Sequence, residues 1–159
     1  MAVTLADVED ARRCIEDIIN PTPMVADEKL STQIGATAVL KAECMQRAGS
    51  FKVRGAYNKI SRLSDDEKRR GVVAASAGNH AQGVALAARL NGIRSTIVLP
   101  DFAPLTKIIA TKAQGADVIM KGATFDEAVA HSRELQAEHG YTYVHAFNDE
   151  FVVAGQGTI

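Results

Sequence analysis

Residues 71–99, GVVAASAGNHAQGVALAARLNGIRSTIVL, contain the pattern that decides the fold. Residues 71–76 are a short apolar run of the kind that forms a buried strand. A helical pattern follows over residues 79–90, and the Asn-Gly pair at 91–92 predicts a left-handed turn that ends it. Residues 93–99 are a second apolar run. Two strands joined by a helix of this length predict neighbouring parallel strands in an α/β sheet.

The same alternation continues towards the C-terminus. A helix is predicted from Pro104 to Gly115, and another from Thr124, whose partner in a capping box is Glu127, to about residue 138. The strands predicted between and after these helices are residues 116–120 and 141–146. They have few polar positions, as expected when helices cover both faces of a sheet. The sequence therefore predicts an α/β fold built around a parallel sheet.

The first 63 residues have a different pattern. Thr4 and Asp7 predict a capping box for a helix that reaches about Ile18. Prolines at 21 and 23 end that helix, because the residue before a proline disfavours the helical region. A short strand is predicted at residues 37–42. A helix is then predicted over residues 51–63, with Ser50 in a position to cap it.

Composition excludes several classes of partner. The 159 residues are 47% hydrophobic, which is enough for a packed core, and 18 basic residues nearly balance 19 acidic ones. This balance gives no electrostatic reason to expect nucleic acid or an anionic membrane as a partner. The histidines and cysteines lack the spacing of a metal site. Cys14 and Cys44, outside any Cys-x-x-Cys motif, indicate reduced thiols in a cytosolic protein.

The last residues, 151–159, read FVVAGQGTI and have no charged tail. Natural termini are usually polar and loosely held. The pattern favours a chain that is cut inside a structural element. The alternative is a natural end that packs into a core.

The first candidate site is residues 49–55, GSFKVRG. Lys52 lies in the first turn of a predicted helix, where the positive end of the helix dipole disfavours an ammonium group. Phe51 and Val53 could add desolvation, so a lowered lysine pKa is expected. Such a lysine is suited to forming an imine with an aldehyde. The alternative is an ordinary solvated lysine on an amphipathic helix.

The second candidate site is residues 76–83, SAGNHAQG, between a predicted strand and the start of a helix. Open α/β sheets bind ligands at this edge, and free amides at a helix N-terminus suit an anion. Small residues allow close approach of the backbone, and Asn79 can donate a hydrogen bond. The alternative is a tight turn with Asn79 as a cap and His80 as a structural or solvated side chain.

Together, SFKVRGA at 50–56 and SAGNHAQG at 76–83 resemble the threonine/serine dehydratase family of pyridoxal-phosphate enzymes. The resemblance covers nearly the whole chain, with serine racemase as a neighbouring branch. It implies a parallel three-layer sandwich of fold-type II, the tryptophan synthase β-like kind. It also implies three parts: a first part of the large domain (1–53), a small α/β domain (54–146) and a return towards the large domain (147–159).

The resemblance also implies roles for individual residues, with pyridoxal 5'-phosphate as cofactor. Lys52 would form an imine with the cofactor aldehyde and act as the catalytic base. Phe51 would pack beside the pyridine ring, and Asn79 would hydrogen-bond its 3'-oxygen. Ser76, Asn79 and His80 would help to hold the carboxylate of a small amino-acid substrate. The implied reaction is β-elimination of L-threonine or L-serine to a 2-oxo acid and ammonia.

Ala77 distinguishes between two branches of the family that the chain resembles. Serine racemases of eukaryotes have a second serine here that acts as an acid/base, and a methyl group cannot carry a proton, so elimination is favoured.

The glycine-rich loop for the cofactor phosphate and the partner of the pyridine nitrogen lie downstream in the family. The full-length form is expected to be a cytoplasmic homo-oligomer. The alternatives are a serine racemase-like enzyme and a non-enzymatic α/β domain that binds a small anion.

Overall fold

The computed structural model describes residues 2–159, which form eight α-helices and six β-strands. Two short 3-10 turns, Glu43–Met45 and Arg47–Gly49, lie between β2 and α3. The helices are α1 Leu5–Ile15, α2 Glu28–Ile34, α3 Lys52–Ser61, α4 Asp65–Arg70, α5 Asn79–Leu90, α6 Leu105–Ala113, α7 Phe125–His139 and α8 Glu150–Gln156. The strands are β1 Met24–Ala26, β2 Val39–Lys41, β3 Val72–Ala75, β4 Ser95–Leu99, β5 Asp117–Met120 and β6 Thr142–Tyr143.

The larger sheet has four parallel strands in the order β5-β4-β3-β6. Val72 of β3 pairs with Ser95 of β4 and with Thr142 of β6. Every residue of β3 and β4 is buried, so both faces of these central strands are covered. Helices α5 and α7 each pack against both strands. The parallel sheet and its helical layers confirm the predicted fold class.

Several predicted helix ends are confirmed. Thr4 and Asp7 form the reciprocal capping box at the start of α1, although that helix ends at Ile15 instead of near Ile18. Helix α5 has the predicted bounds, and Gly92 after it has a left-handed φ of 67°. The capping box at Thr124 is only half formed, because the Glu127 carboxylate accepts from the Ala123 amide instead.

The strand predicted over residues 141–146 is wrong in its length, because β6 covers only Thr142–Tyr143. Past β6, two side chains donate hydrogen bonds to carbonyl groups of the chain. His80 Nε2 donates to the Val144 oxygen at 2.9 Å, and Lys52 Nζ donates to the Ala146 oxygen at 2.9 Å. The Val144 amide still donates to the Val73 oxygen at 2.9 Å, and the two side-chain bonds hold the segment beside the starts of α5 and α3.

A two-stranded antiparallel ribbon, β1 with β2, lies outside the larger sheet. The sequence predicted β2 in the correct place, but β1 and α2 were not predicted. Prolines at 21 and 23 suggested a break, and the 3-residue strand after them is too short to show a pattern. Asp27 caps α2 through its side chain, and Gly35 ends that helix with a left-handed φ of 66°.

The apolar residues near the C-terminus form α8, which packs against α3 through glycines. A Cβ at Gly55 would lie 2.5 Å from the Val152 oxygen, and one at Gly155 would lie 2.6 Å from the Gly55 Cα. Val152 and Ala154 are buried in this contact. The close approach of the two helices explains why small residues occur here. Within residues 2–159, no helix combines the length and apolar character that crossing a membrane requires.

A buried ion pair joins the segment after the ribbon to α3. Arg54 Nε and Nη2 donate to the two carboxylate oxygens of Glu43, each at 2.8 Å. Thr22 donates to the same carboxylate at 2.6 Å, and Arg54 Nη1 reaches the Thr158 hydroxyl at 3.1 Å. Burial alone would raise the pKa of Glu43, but hydrogen bonds from Arg54 and Thr22 outweigh it and lower that pKa. The network fixes the backbone next to Lys52.

Candidate active site

Lys52 is the first residue of α3, directly after Phe51 at the N-cap. Ser50 was predicted as the cap, but no side chain among residues 2–159 caps this helix, and the Ser50 hydroxyl only accepts a long 3.4 Å bond from the Lys52 amide. The amine of Lys52 lies 5.2 Å from the centre of the Phe51 ring and donates to Ala146. Burial lowers the pKa of Lys52, in the predicted direction.

Residues 76–80 follow β3 and lead into α5. The Ser76 amide donates to the Val98 oxygen at 3.1 Å, and the Ser76 hydroxyl accepts from the Gly78 amide at 3.1 Å. In the described chain, no side chain caps the N-terminus of α5, and a Cβ at Gly78 would have no neighbour within 4 Å. The helix therefore presents open backbone amides, which is the arrangement that favours an anion.

His80 is buried, and its ring is held by the backbone of Val144. A carbonyl only accepts, so His80 Nε2 carries the proton of this bond. Burial lowers the pKa of His80 to about 4, so the ring is neutral near pH 7 and Nδ1 is a lone pair. Nδ1 is buried and has no hydrogen-bond partner in the described residues. Any hydrogen bond from His80 to a carboxylate would therefore come from its backbone amide.

Asn79 is exposed, and its side chain is held from the side of α6. Lys107 Nζ donates to Asn79 Oδ1 at 2.8 Å. This contact uses the acceptor end of the carboxamide and leaves its amino group, Nδ2, to donate. Sequence reasoning did not find Lys107, because a lysine in a predicted helix gives no local signal of a partner 28 residues away.

Packing of α3 against α5 brings the two predicted motifs together. A Cβ at Gly83 of α5 would lie 3.0 Å from the Lys52 carbonyl carbon and 3.1 Å from its Cβ. The positive charge of Lys52 also contributes to the lowered pKa of His80, so the two side chains interact electrostatically. Phe51 and Lys52 at the start of α3 thus lie beside the segment that begins α5.

Two clefts of the described surface lie away from this place. A cleft of about 220 Å³ is lined by Asp7, Asn58, Arg62 and Phe151, between α1, α3 and α8. A larger and shallower one of about 550 Å³ lies along the β6 edge, near Arg133 and Tyr143. Neither includes Lys52 or the start of α5. The chemistry of the side chains, not the size of a cavity, distinguishes the candidate site.

The chain belongs to the family of pyridoxal-phosphate dependent enzymes, whose sequence profile matches residues 15–159. It is similar to the L-threonine ammonia-lyase of Thermotoga maritima, with 52% identity over 157 residues, 99% of this chain and 39% of the relative. Among solved structures, maize serine racemase has a TM-score of 0.93 and 36% identity, covering 99% of this chain and 48% of the other. The processed form of threonine deaminase isoform 2 from Solanum lycopersicum has a TM-score of 0.88 and 45% identity, covering 97% and 42%.

These comparisons confirm the fold-type II class and the cofactor class that the two motifs predicted. The chain spans about two fifths to one half of the length of these three relatives. The residues present fit part of a pyridoxal-phosphate site: a partly buried amine with a lowered pKa, a carboxamide donor and an uncapped helix N-terminus. The roles assigned to Phe51, Lys52, Ser76, Asn79 and His80 stay predictions.

Proposed function

We propose that this chain is part of an enzyme that converts L-threonine or L-serine to a 2-oxo acid and ammonia by β-elimination. The observation that carries the proposal is the amine of Lys52. It lies at the start of a helix, is partly buried, and has a lowered pKa next to the segment that begins α5. The similarity to L-threonine ammonia-lyase supports the same reaction.

Three residues would hold the cofactor. Pyridoxal phosphate, when bound, supplies an aldehyde that reacts with amines and a ring that stabilises negative charge on the α-carbon of an amino acid. Lys52 would bind the aldehyde and Phe51 would lie beside the ring. Asn79 would donate its Nδ2 hydrogen to the ring oxygen, since its Oδ1 is bonded to Lys107. These roles match the chemistry of each side chain.

Lys52 would also act as the base at the α-carbon. Burial disfavours the ammonium form, so a larger fraction of Lys52 is neutral than for a solvated lysine. A neutral amine has the lone pair that takes a proton. The Ala146 carbonyl, 2.9 Å from Nζ, holds the amine in one position, and the buried Arg54–Glu43 pair fixes the helix that carries it.

The start of α5 would hold the substrate carboxylate. The Ser76 hydroxyl accepts from the Gly78 amide, so its own proton is free to donate to a ligand. The open amides of Asn79 and His80 add donors at the positive end of the helix dipole. The neutral His80 ring places no competing positive charge beside Lys52. The arrangement suits a carboxylate next to an amine that removes a proton.

A serine racemase-like enzyme is the second candidate, because the structure of maize serine racemase resembles this one with a TM-score of 0.93. Ala77 argues against it, since its methyl group cannot protonate the second face of the substrate. Chiral analysis of the products from L-serine distinguishes the two. Racemisation predicts D-serine as the main product, and elimination predicts 2-oxo acid with little D-serine.

We also propose that the full-length protein is a homo-oligomer that acts in the cytoplasm. Its substrate would be a small amino acid. In this proposal residues 1–53 and 147–159 belong to a large cofactor domain and residues 54–146 form the small domain. A glycine-rich phosphate loop would lie outside these residues, as in the family. Residues 1–159 alone would then bind the cofactor weakly and turn over little substrate.

The direct test is an assay of 2-oxo acid and ammonia with L-threonine and L-serine in the full-length protein. Lys52→Ala removes the amine and should lower kcat by about 10³-fold or more, because covalent and base roles are lost together. Lys112→Ala, an exposed lysine on α6, is the control and should keep wild-type turnover. Turnover that survives Lys52→Ala would refute the proposal. A wild-type protein that binds a small anion without producing 2-oxo acid would support the non-enzymatic alternative.

A further inference from the structure

Lys107 is the third residue of α6, in its first turn, and reaches across to the first residue of α5. Its Nζ donates to Asn79 Oδ1 at 2.8 Å, although the two residues are 28 positions apart in the chain. Helices α5 and α6 pack against each other, so this bond connects two elements that already touch. In the part of the chain that the structure describes, Lys107 has no carboxylate partner within ion-pair distance.

The backbone of Lys107 is itself fixed. Its amide donates to the Pro104 oxygen at 2.8 Å, and its carbonyl accepts from the Thr111 hydroxyl at 2.8 Å. Thr111 is completely buried. The stem of Lys107 therefore starts from a rigid turn, and its amine is held at a defined place next to Asn79.

The two ends of a carboxamide are chemically opposite. The oxygen of Asn79 only accepts and its Nδ2 only donates, whereas the ammonium of Lys107 only donates. If the amide turned over, Nδ2 would meet the ammonium, two donors would face each other, and the bond would be lost. Lys107 therefore selects one orientation of Asn79, in which Nδ2 is the group available to a ligand.

We infer that Lys107 is a positioning residue, which holds the Asn79 amide so that its Nδ2, and not its oxygen, is available to the ring oxygen of pyridoxal phosphate. The inference rests on the proposed function, in which Asn79 donates to that oxygen. An ionised ring oxygen is an acceptor, so the opposite orientation would place two acceptors together. Lys107 acts through Asn79 and needs no contact with the cofactor.

Matched variants of the full-length protein test this role. Lys107→Met keeps the length and packing of the stem but removes the donor, and Lys107→Arg restores one. Lys112→Met, an exposed position on the same helix, controls for the loss of a positive charge. The measurements are the Kd for pyridoxal phosphate and the pH dependence of the absorbance bands of the bound cofactor. The second responds to hydrogen bonding at the ring oxygen and is insensitive to a general loss of stability.

Lys107→Met should weaken cofactor binding about two- to fivefold, the range expected for one partly exposed charged hydrogen bond. It should also shift the ratio of the cofactor bands towards the form with a protonated ring oxygen. Lys107→Arg should recover most of both effects, and Lys112→Met should match the wild type. In an Asn79→Ala background, Lys107→Met should change neither measurement further, because its target is gone.

Two results would overturn the inference while leaving the proposed function intact. One is a Lys107→Met spectrum like the wild type while Asn79→Ala changes it. The other is a Lys107→Met effect of equal size with and without Asn79. A wild-type protein that gives no cofactor band at saturating pyridoxal phosphate would instead refute the proposed function and this inference together.

Discussion

The central strands β3 and β4 and the ribbon β1–β2 are all mainly apolar, yet only the central strands are buried. Every residue of β3 and β4 is buried, whereas Met24, Val25, Val39 and Leu40 of the ribbon are 61%, 49%, 45% and 47% exposed. Helices α5 and α7 cover the central strands. The difference shows that the place of a strand in the layers, and not its composition, decides how much it contributes to the core.

The buried Arg54–Glu43 pair joins the segment after the ribbon to α3, and breaking it should have the largest effect on stability. Arg54→Leu leaves the Glu43 carboxylate without its main partner in a site where its side chain is 10% exposed. The free energy of unfolding should fall by about 3–5 kcal/mol, as when one partner of a buried ion pair is removed. Urea unfolding measures this change.

An exposed ion pair provides the control for that prediction. Asp66 and Arg69 pair on α4 with side chains that are 71% and 70% exposed. Asp66→Asn should change the free energy of unfolding by less than about 1 kcal/mol. Equal losses for the two variants would show that the link between the ribbon region and α3 is not the buried pair.

The stability of the protein should also fall in acid, because His80 is buried in its neutral form. Its pKa falls from 6.5 to about 4 on folding, because burial penalises the imidazolium. Above pH 6.5 both states are neutral and the effect is zero. As the pH falls towards 4, the unfolded chain binds a proton that the folded chain does not, so stability falls by about 3 kcal/mol at 1.36 kcal/mol per pKa unit.

His80→Gln isolates this effect, because glutamine keeps a donor for the Val144 carbonyl but does not titrate. The burial-lowered pKa of His145 acts in the same direction and remains in the variant. The wild type should therefore lose more stability than His80→Gln between pH 6.5 and 4, as seen in urea unfolding at each pH. Identical pH profiles would contradict the assignment of a buried neutral His80.

The smallest predicted effect comes from the same substitution, valine to alanine, made once in the central strands and once in the ribbon. Val73 in β3 is completely buried, and Val25 in β1 is 49% exposed. Val73→Ala should cost about 2 kcal/mol through two lost methyl groups and a cavity. Val25→Ala should change stability by less than about 0.5 kcal/mol. A large loss at Val25 in the full-length protein would show that the ribbon is covered there.

Sequence patterns predicted the part of the fold in which each element carries its own signal. The apolar run at β3, the bounds of α5 and the capping box at Thr4 are all local features, and the structure confirms them. The 3-residue strand β1 and the 6- and 7-residue helices α4 and α2 were not predicted. They are too short to show a period, and tertiary contacts decide them.

The candidate site was likewise predicted only where the signal is local. The motifs around Lys52 and Asn79 were visible in the sequence, because each combines a helix start with unusual residues. The bonds from Lys52 and His80 to the segment after β6, and from Lys107 to Asn79, were not. Each joins residues that are 28 to 94 positions apart, so only the folded chain brings them together.

Every proposed role in the candidate site depends on Lys52 as the residue that binds the cofactor. The decisive measurement is to saturate the full-length protein with pyridoxal phosphate, reduce it with borohydride and map the modified peptide. We predict one stable adduct, on Lys52, which Lys52→Ala abolishes. A stoichiometric adduct on a different lysine, or none at saturating cofactor, would contradict the account.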